Sequence, residues 1–161
     1  MGEHSAKMCE AYRIISELHR QGPVMVYSAN VETGVNRFQA FFEQNGYDKW
    51  RGGATEENPP SKMAFVNING SVSMGIAREA IKILKSDANY RGDSIRLVLA
   101  SPKIRTGVTL RHFEAIIEDE VGWTVGDREQ IVGRVIRHGS HEHAADPYCN
   151  KTVHVYVLCA R

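Results

Sequence analysis

Short apolar segments alternate with amphipathic segments along this chain of 161 residues, and this alternation is the feature that most restricts its fold. We predict each apolar segment to be a β-strand, at residues 24–28, 63–68, 95–100, 115–117 and 153–159. Several of these segments are apolar throughout, which is typical of strands that are covered by helices on both faces.

The segments between the strands carry apolar residues at three- and four-residue steps, which predicts helices. We predict helices at residues 5–20, from about Val35 to Asn45-Gly46, at 74–84 and at 127–137. Strands that alternate with helices predict an α/β fold with a mainly parallel sheet. The length suits one domain, so residues 1–161 are predicted to form a single unit with an exposed loop at 50–61.

Charge and cysteine content narrow the functional classes only slightly. The chain has 20 basic and 19 acidic residues, so its net charge of +1 neither demands nor excludes a nucleic-acid partner. Three cysteines without a CxxC spacing indicate free thiols in a reducing, intracellular compartment. No apolar run approaches the ~20 residues that span a bilayer, and no signal-type segment is visible, so we expect no membrane association.

Polar residues follow the predicted strands at the sheet edge where function is expected. In open parallel sheets, ligands bind beyond the carboxyl ends of the strands. This rule selects Ser28 and its successors, Asn69-Gly70, and the loop after Ile117. The strand at 95–100 also delivers hydroxyl groups, two cations and a glycine that suit a phosphate backbone, namely Ser101, Lys103, Arg105, Thr106 and Gly107.

The segment 130–141 is the most specific in the chain. On a helix, Gln130, Arg134 and Arg137 lie four and three residues apart and share one face, while Gly133 leaves room for a close neighbour. A guanidinium group is the side chain best suited to meet the charge on a phosphate undergoing transfer. The spacing alone also fits a solvated basic helix face with a packing glycine.

The order of these segments resembles the carboxyl-terminal domain of superfamily-two helicases, especially the branch found in large cytoplasmic DNA viruses, including poxvirus early-transcription-factor and nucleoside-triphosphatase proteins. Residues 24–28 with Gly34-Val35 look like motif IV, Ser101 with residues 106–108 looks like motif V, and residues 130–137 with Ser140-His141 look like motif VI. The resemblance implies a three-layer RecA-like domain that is the second motor domain of an ATP-dependent helicase or translocase.

The resemblance also implies a role for each matching residue. Arg137 would be the arginine finger, Arg134 its companion, and Gln130 an organiser of phosphate and water, beside Gly133. Gly107 and Thr106 would approach the nucleotide or couple it to the bound nucleic-acid strand. This branch often has Glu immediately before the glycine, at the position of Thr106. Ser28 and Ser101 would contact the phosphates of the bound nucleic-acid strand.

The partners that follow from the resemblance are the amino-terminal RecA-like domain of the same motor, which would bind most of ATP and Mg²⁺, and a single strand of DNA or RNA. The location implied is the cytoplasm of a host cell, or a virion if the protein is viral.

Two other clusters of polar residues permit different interpretations. Glu118-Asp119-Glu120 imitates an acidic metal-binding box, and His138, His141 and His143 with Asp146 and Cys149 imitate a zinc cluster. We interpret the first as the ordinary end of a strand and the second as an exposed loop, so no metal ligand is predicted. The alternatives to a motor domain are a binding module that keeps only the fold, and a self-contained nucleotide enzyme using Asp119 and Glu120.

We expect the purified chain to hydrolyse ATP negligibly, because its 161 residues contain no Gly-x-x-x-x-Gly-Lys-Ser/Thr loop to cradle the β- and γ-phosphates. Phosphate release from Mg²⁺-ATP, with and without single-stranded nucleic acid, measures this. Turnover that disappears in the double variant Asp119→Asn, Glu120→Gln would instead support the self-contained enzyme.

Overall fold

A six-stranded parallel sheet forms the centre of the protein. The structure is a computed structural model, and it describes residues 5–18, 22–52, 61, 63–68, 74–102, 109–120, 125–136 and 152–159. The strands are β1 (Val24–Tyr27), β2 (Asp48–Lys49), β3 (Ala64–Ile68), β4 (Leu97–Ala100), β5 (Ala115–Glu118) and β6 (His154–Val157). Their order across the sheet is β2-β3-β4-β1-β5-β6, and neighbouring strands pair in parallel.

Within the described residues, four helices cover the sheet, and the alternation of side chains along each strand decides which helices it contacts. The helices are α1 (Ala6–Glu17), α2 (Asn36–Gln44), α3 (Met74–Leu84) and α4 (Val125–Val135). In β1, Val24 and Val26 pack into the cluster that holds the apolar residues of α1 and α2. Met25 points to the opposite face and packs with α3 and α4. The predicted α/β fold of three layers with a mainly parallel sheet is therefore confirmed.

The face covered by α1 and α2 is rich in aromatic side chains. Phe38 and Phe42 of α2 are almost fully buried. Tyr12 of α1 meets Phe41 edge-on, with the ring centroids 6.1 Å apart, and Tyr47 meets Phe42 at 5.1 Å. A single π-helical turn at Val31–Val35 leads from β1 into α2. The helix closes at Asn45-Gly46 as predicted, where Gly46 has φ 86°.

Some predicted boundaries differ from the structure. Helix α1 ends at Glu17, because Leu18 is already extended, and β6 is shorter than the predicted 153–159. The two-residue strand β2 was missed, since both of its residues are exposed and polar and give no apolar signal.

Trp50 is buried, although it is the first residue of the loop at 50–61 that was predicted to be exposed. Its amide donates to the Phe65 carbonyl at 2.7 Å, its side chain is buried, and residues 53–60 lie outside the described residues. None of the described helices is long and apolar enough to cross a membrane.

A buried ion pair ties three segments together at the amino end of the sheet. Arg96, just before β4, donates to the Glu114 carboxylate at 3.1 Å and also to the carbonyl of Gly22. Both side chains of the ion pair are almost fully buried, with 2% and 3% exposure. A charge in such a place is tolerated only when it is paired, so the fold depends on both partners being present.

Glu114→Gln is expected to lower the free energy of unfolding by about 3–5 kcal/mol, because Arg96 would keep a buried charge without a carboxylate partner. Urea denaturation followed by circular dichroism measures this change.

The matched control is Glu10→Gln, which removes a carboxylate from an exposed pair with Arg13. The hydrogen bond from Arg13 holds the pKa of Glu10 below its usual value. Solvent screens this pair, so the control should change stability far less. If both substitutions lower the free energy of unfolding equally, the buried ion pair does not contribute more to stability than the exposed one.

Candidate functional site

Three neighbouring strands place polar residues side by side at the carboxyl edge of the sheet. Tyr27 pairs with Ala100 of β4 and with Glu118 of β5, so the next residues, Ser101, Ser28 and Asp119, lie at one level. The Ser28 amide donates to the Ala100 carbonyl at 3.0 Å, and the Asp119 amide donates to the Tyr27 carbonyl at 2.9 Å. Because side chains alternate along a strand, all three belong to the face covered by α1 and α2.

The Ser28 hydroxyl is committed to contacts within the chain. Its Oγ donates to Asp119 Oδ2 at 3.1 Å and accepts from the Asn30 amide at 3.3 Å. A Cβ atom at Gly34 would lie 1.8 Å from that Oγ and 2.6 Å from the Ser28 Cβ. Glycine at position 34 is therefore what allows the turn before α2 to approach the strand edge.

Lys7 connects helix α1 to the same edge. Its Nζ donates to the Asp119 carbonyl at 2.5 Å and lies 3.6 Å from Oδ1 of the same residue. The Asp119 side chain is only 12% exposed, and its carboxylate lies beside one cation, Lys7, and one hydroxyl, Ser28. We define Ser28, Asp119, Lys7 and Gly34 as the edge cluster.

Two further polar side chains at this edge are buried with incomplete hydrogen bonding. Ser101 is fully buried, and its Oγ makes no hydrogen bond within the described part of the chain. Asn67 of β3 donates through Nδ2 to Gln39 Oε1 at 2.8 Å, while its Oδ1 has no partner among the described residues. The predicted strand-binding hydroxyls Ser28 and Ser101 are thus neighbours, but neither is at the surface.

Several predicted residues of the strand-binding and nucleotide-binding groups lie outside the described residues. They are Lys103, Arg105, Thr106, Gly107 and Arg137, together with the histidine-rich segment 138–143, Asp146 and Cys149. Their roles stay predictions, as does contact between a nucleic-acid strand and Ser28 or Ser101.

Helix α4 carries three of the residues that were predicted to face the nucleotide, namely Gln130, Gly133 and Arg134. Gln130 and Gly133 are exposed and Arg134 is partly buried. In the described structure, nothing lies within 4 Å of the place where a Cβ on Gly133 would sit. The Arg134 carbonyl accepts from the Leu110 amide at 3.1 Å, which fixes the end of the helix beside the segment that enters β5. Among the described residues, nothing therefore covers the helix at Gly133.

The acidic triplet after β5 is divided between different contacts. Glu118 is buried and accepts a hydrogen bond from Arg128 Nε at 3.3 Å. Asp119 belongs to the edge cluster, where it accepts from Ser28, and Glu120 is exposed. Consecutive residues point to opposite faces of the sheet, so Glu118 and Asp119 do not converge. Within the described ranges, no group of three His, Cys, Asp or Glu residues could hold a metal ion.

Sequence reasoning gave no role to Asn67 or Arg128 and assigned Lys7 only to the start of a helix. The pair Lys7 and Asp119 is separated by 112 residues, and no local pattern reveals a contact at such a distance. A partial signal existed for Arg128, which lies two residues before Gln130 on a helix that was already under consideration.

Similarity to solved structures defines the class of fold. The chain superposes on the C-terminal part of the Fun30 ATPase domain with a TM-score of 0.65 and 15% identity, covering 94% of this chain and 40% of that one. It superposes on domain 2 of the DEAD-box helicase Mss116p, bound to an RNA duplex, with a TM-score of 0.59 and 12% identity, covering 96% and 48%. The protein has the RecA-like fold of a helicase domain.

Sequence comparison then gives particular relatives, although no family model matches the chain. It is 29% identical over 136 residues to the killer plasmid pGKL-2 helicase of Kluyveromyces lactis, covering 84% of this chain and 21% of the relative. It is 27% identical over 141 residues to a protein of Acanthamoeba polyphaga mimivirus named as an ATP-dependent RNA helicase, covering 87% and 23%. The resemblance to viral helicases is confirmed, and the chain spans about a fifth of the length of these relatives.

Gly34→Ala is expected to lower the free energy of unfolding by about 1–3 kcal/mol, because the added Cβ overlaps Ser28 and forces the turn away from the strand. The matched control, Gly133→Ala, meets open space and should raise stability by about 0.5–1 kcal/mol through better helix propensity. Thermal unfolding compares the two. If Gly34→Ala is as stable as the control, the close packing of the edge cluster is wrong.

Proposed function

We propose that this chain acts as the second RecA-like half of an ATP-dependent helicase or translocase motor. The observation that carries the proposal is on α4, where Gln130 and Gly133 are exposed and no described residue lies within 4 Å of the place where a Cβ on Gly133 would sit. On a domain whose relatives are helicases about four times its length, such a face fits the surface that meets an amino-terminal RecA-like domain.

The donors on α4 and in the sequence that follows it suit a nucleotide held mainly by the other half of the motor. Arg134 and, beyond the described residues, Arg137 would approach the phosphates, while Gln130 would help to order phosphate and water. ATP with Mg²⁺ would supply the free energy of hydrolysis that drives the motor. A guanidinium that arrives only when the two domains close makes turnover depend on closure.

The carboxyl edge of the sheet is the proposed contact with the nucleic-acid track. Lys103 and Arg105 provide cations immediately after Ser101, and a strand gripped through its phosphates needs little sequence recognition. The relative from the mimivirus is named as an RNA helicase, and the Mss116p domain was solved with an RNA duplex. These names support a nucleic-acid partner. A location in the cytoplasm of a host cell, or in a virion if the protein is viral, remains a prediction.

The burial of Ser28 and Ser101 favours a second candidate. A module that keeps the RecA-like fold without working as a motor would keep both serines buried, with the Ser28 hydroxyl bonded to Asp119, and would bind another protein or nucleic acid through other surfaces. The two candidates differ in whether Arg134 and Arg137 affect ATP turnover.

Arg134→Ala and Arg137→Ala are each expected to lower kcat by about 10³-fold in a motor that joins this chain to its phosphate-loop domain. The reason is the loss of a cation from the developing phosphate charge, and a coupled assay of phosphate release measures it. Arg37→Ala, which changes an exposed arginine on α2, is the matched control and should leave kcat unaltered. Turnover that is the same in all three variants would support the non-motor module.

A further inference from the structure

The two halves of helix α4 are attached to the domain in different ways. From Val125 to Gln130, every described side chain is exposed, and Val125 itself is 76% exposed. The carboxyl-terminal half is anchored by Val135, which is fully buried, and by the hydrogen bond between the Leu110 amide and the Arg134 carbonyl. Apolar packing therefore fixes one end of the helix and leaves the other without a hydrophobic anchor.

A buried carboxylate takes the place of that anchor. Glu118, the last residue of β5, has a side chain that is only 4% exposed, and its Oε1 lies 3.3 Å from Nε of Arg128. The adjacent Asp119 is held on the opposite face by Ser28 and Lys7, so Glu118 is left to the α4 side of the sheet. Burying a carboxylate costs free energy unless a cation meets it, which favours the position of α4 that keeps Arg128 in place.

The ion pair can affect the position of Gln130, because it lies far along the helix from the anchored end. With a rise of 1.5 Å per residue, Arg128 lies about 10 Å along the helix from Val135, and Gln130 about 7.5 Å. A tilt of about 10° around the anchored end would move Gln130 by about 1.3 Å. Displacements near 1 Å at a reacting group can cost about 10²-fold in rate.

We infer that the ion pair between Glu118 and Arg128 is a positioning device that sets the angle of α4 and thereby the placement of Gln130. The inference rests on the proposed motor function only for its effect on turnover. Neither Glu118 nor Arg128 is a catalytic residue in this scheme, because each acts through the helix.

The first test needs only the isolated chain. Hydrogen exchange measured by mass spectrometry or NMR should show that Arg128→Ala increases exchange in the first half of α4 by about tenfold or more, while β1 and β4 keep their protection. Glu118→Gln keeps the shape of the side chain but removes its charge, and it should give the same local change. Glu129→Ala, an exposed neighbour on the same helix, is the control and should leave the exchange pattern unchanged.

The second test uses the joined motor. Arg128→Ala should lower kcat about tenfold or more with KM for ATP within twofold, and Arg128→Lys should restore most of kcat because it returns the cation. Arg37→Ala, on the other face of the domain, should leave both constants unaltered.

The two tests separate failure of this inference from failure of the proposed function. If Arg134→Ala abolishes turnover but Arg128→Ala changes neither kcat nor exchange in α4, the positioning role is wrong and the motor stands. If Arg134→Ala and Arg137→Ala have no effect on turnover, the motor is wrong, and exchange in the isolated chain alone decides whether the ion pair holds the helix.

Discussion

The in-register parallel pairing of β4, β1 and β5 is the constraint on which the remaining structure depends. It brings the carboxyl ends of these strands to one level, so Ser101, Ser28 and Asp119 become neighbours although they are far apart in sequence. A shift of one residue in β1 would turn Ser28 to the opposite face and separate it from Asp119 and Lys7. The apolar residues on both faces of the strands make such a shift costly, and the core thereby fixes the polar edge.

Most of the fold could be predicted because its elements carry strong local signals. The apolar segments of β1, β3, β4 and β5 become strands buried on both faces, and α3 has the predicted bounds. The elements that escaped prediction have weak signals or depend on distant contacts. Strand β2 is too short and polar to show a pattern, and the burial of Trp50 follows from its pairing with β3.

The candidate site was only partly predictable for the same reason. The rule on carboxyl ends correctly located Ser28 and Ser101 at one edge, and helical spacing indicated an outward position for Gln130. Local pattern could not show that the two serines would be buried, because that depends on helices packing over them. It also could not pair Lys7 with Asp119 or Arg128 with Glu118, since ion pairs between elements follow from the assembled sheet.

The contact between Lys7 and Asp119 has a consequence for the order in which the domain assembles. It closes a loop of 112 residues, and closing so long a segment is entropically unfavourable until the intervening strands have paired. During synthesis, the first helix leaves the ribosome well before its acceptor has been made. The edge cluster is therefore among the last features to form, and in a nascent chain that stops before β5 both Lys7 and the Ser28 hydroxyl still lack their contact with Asp119.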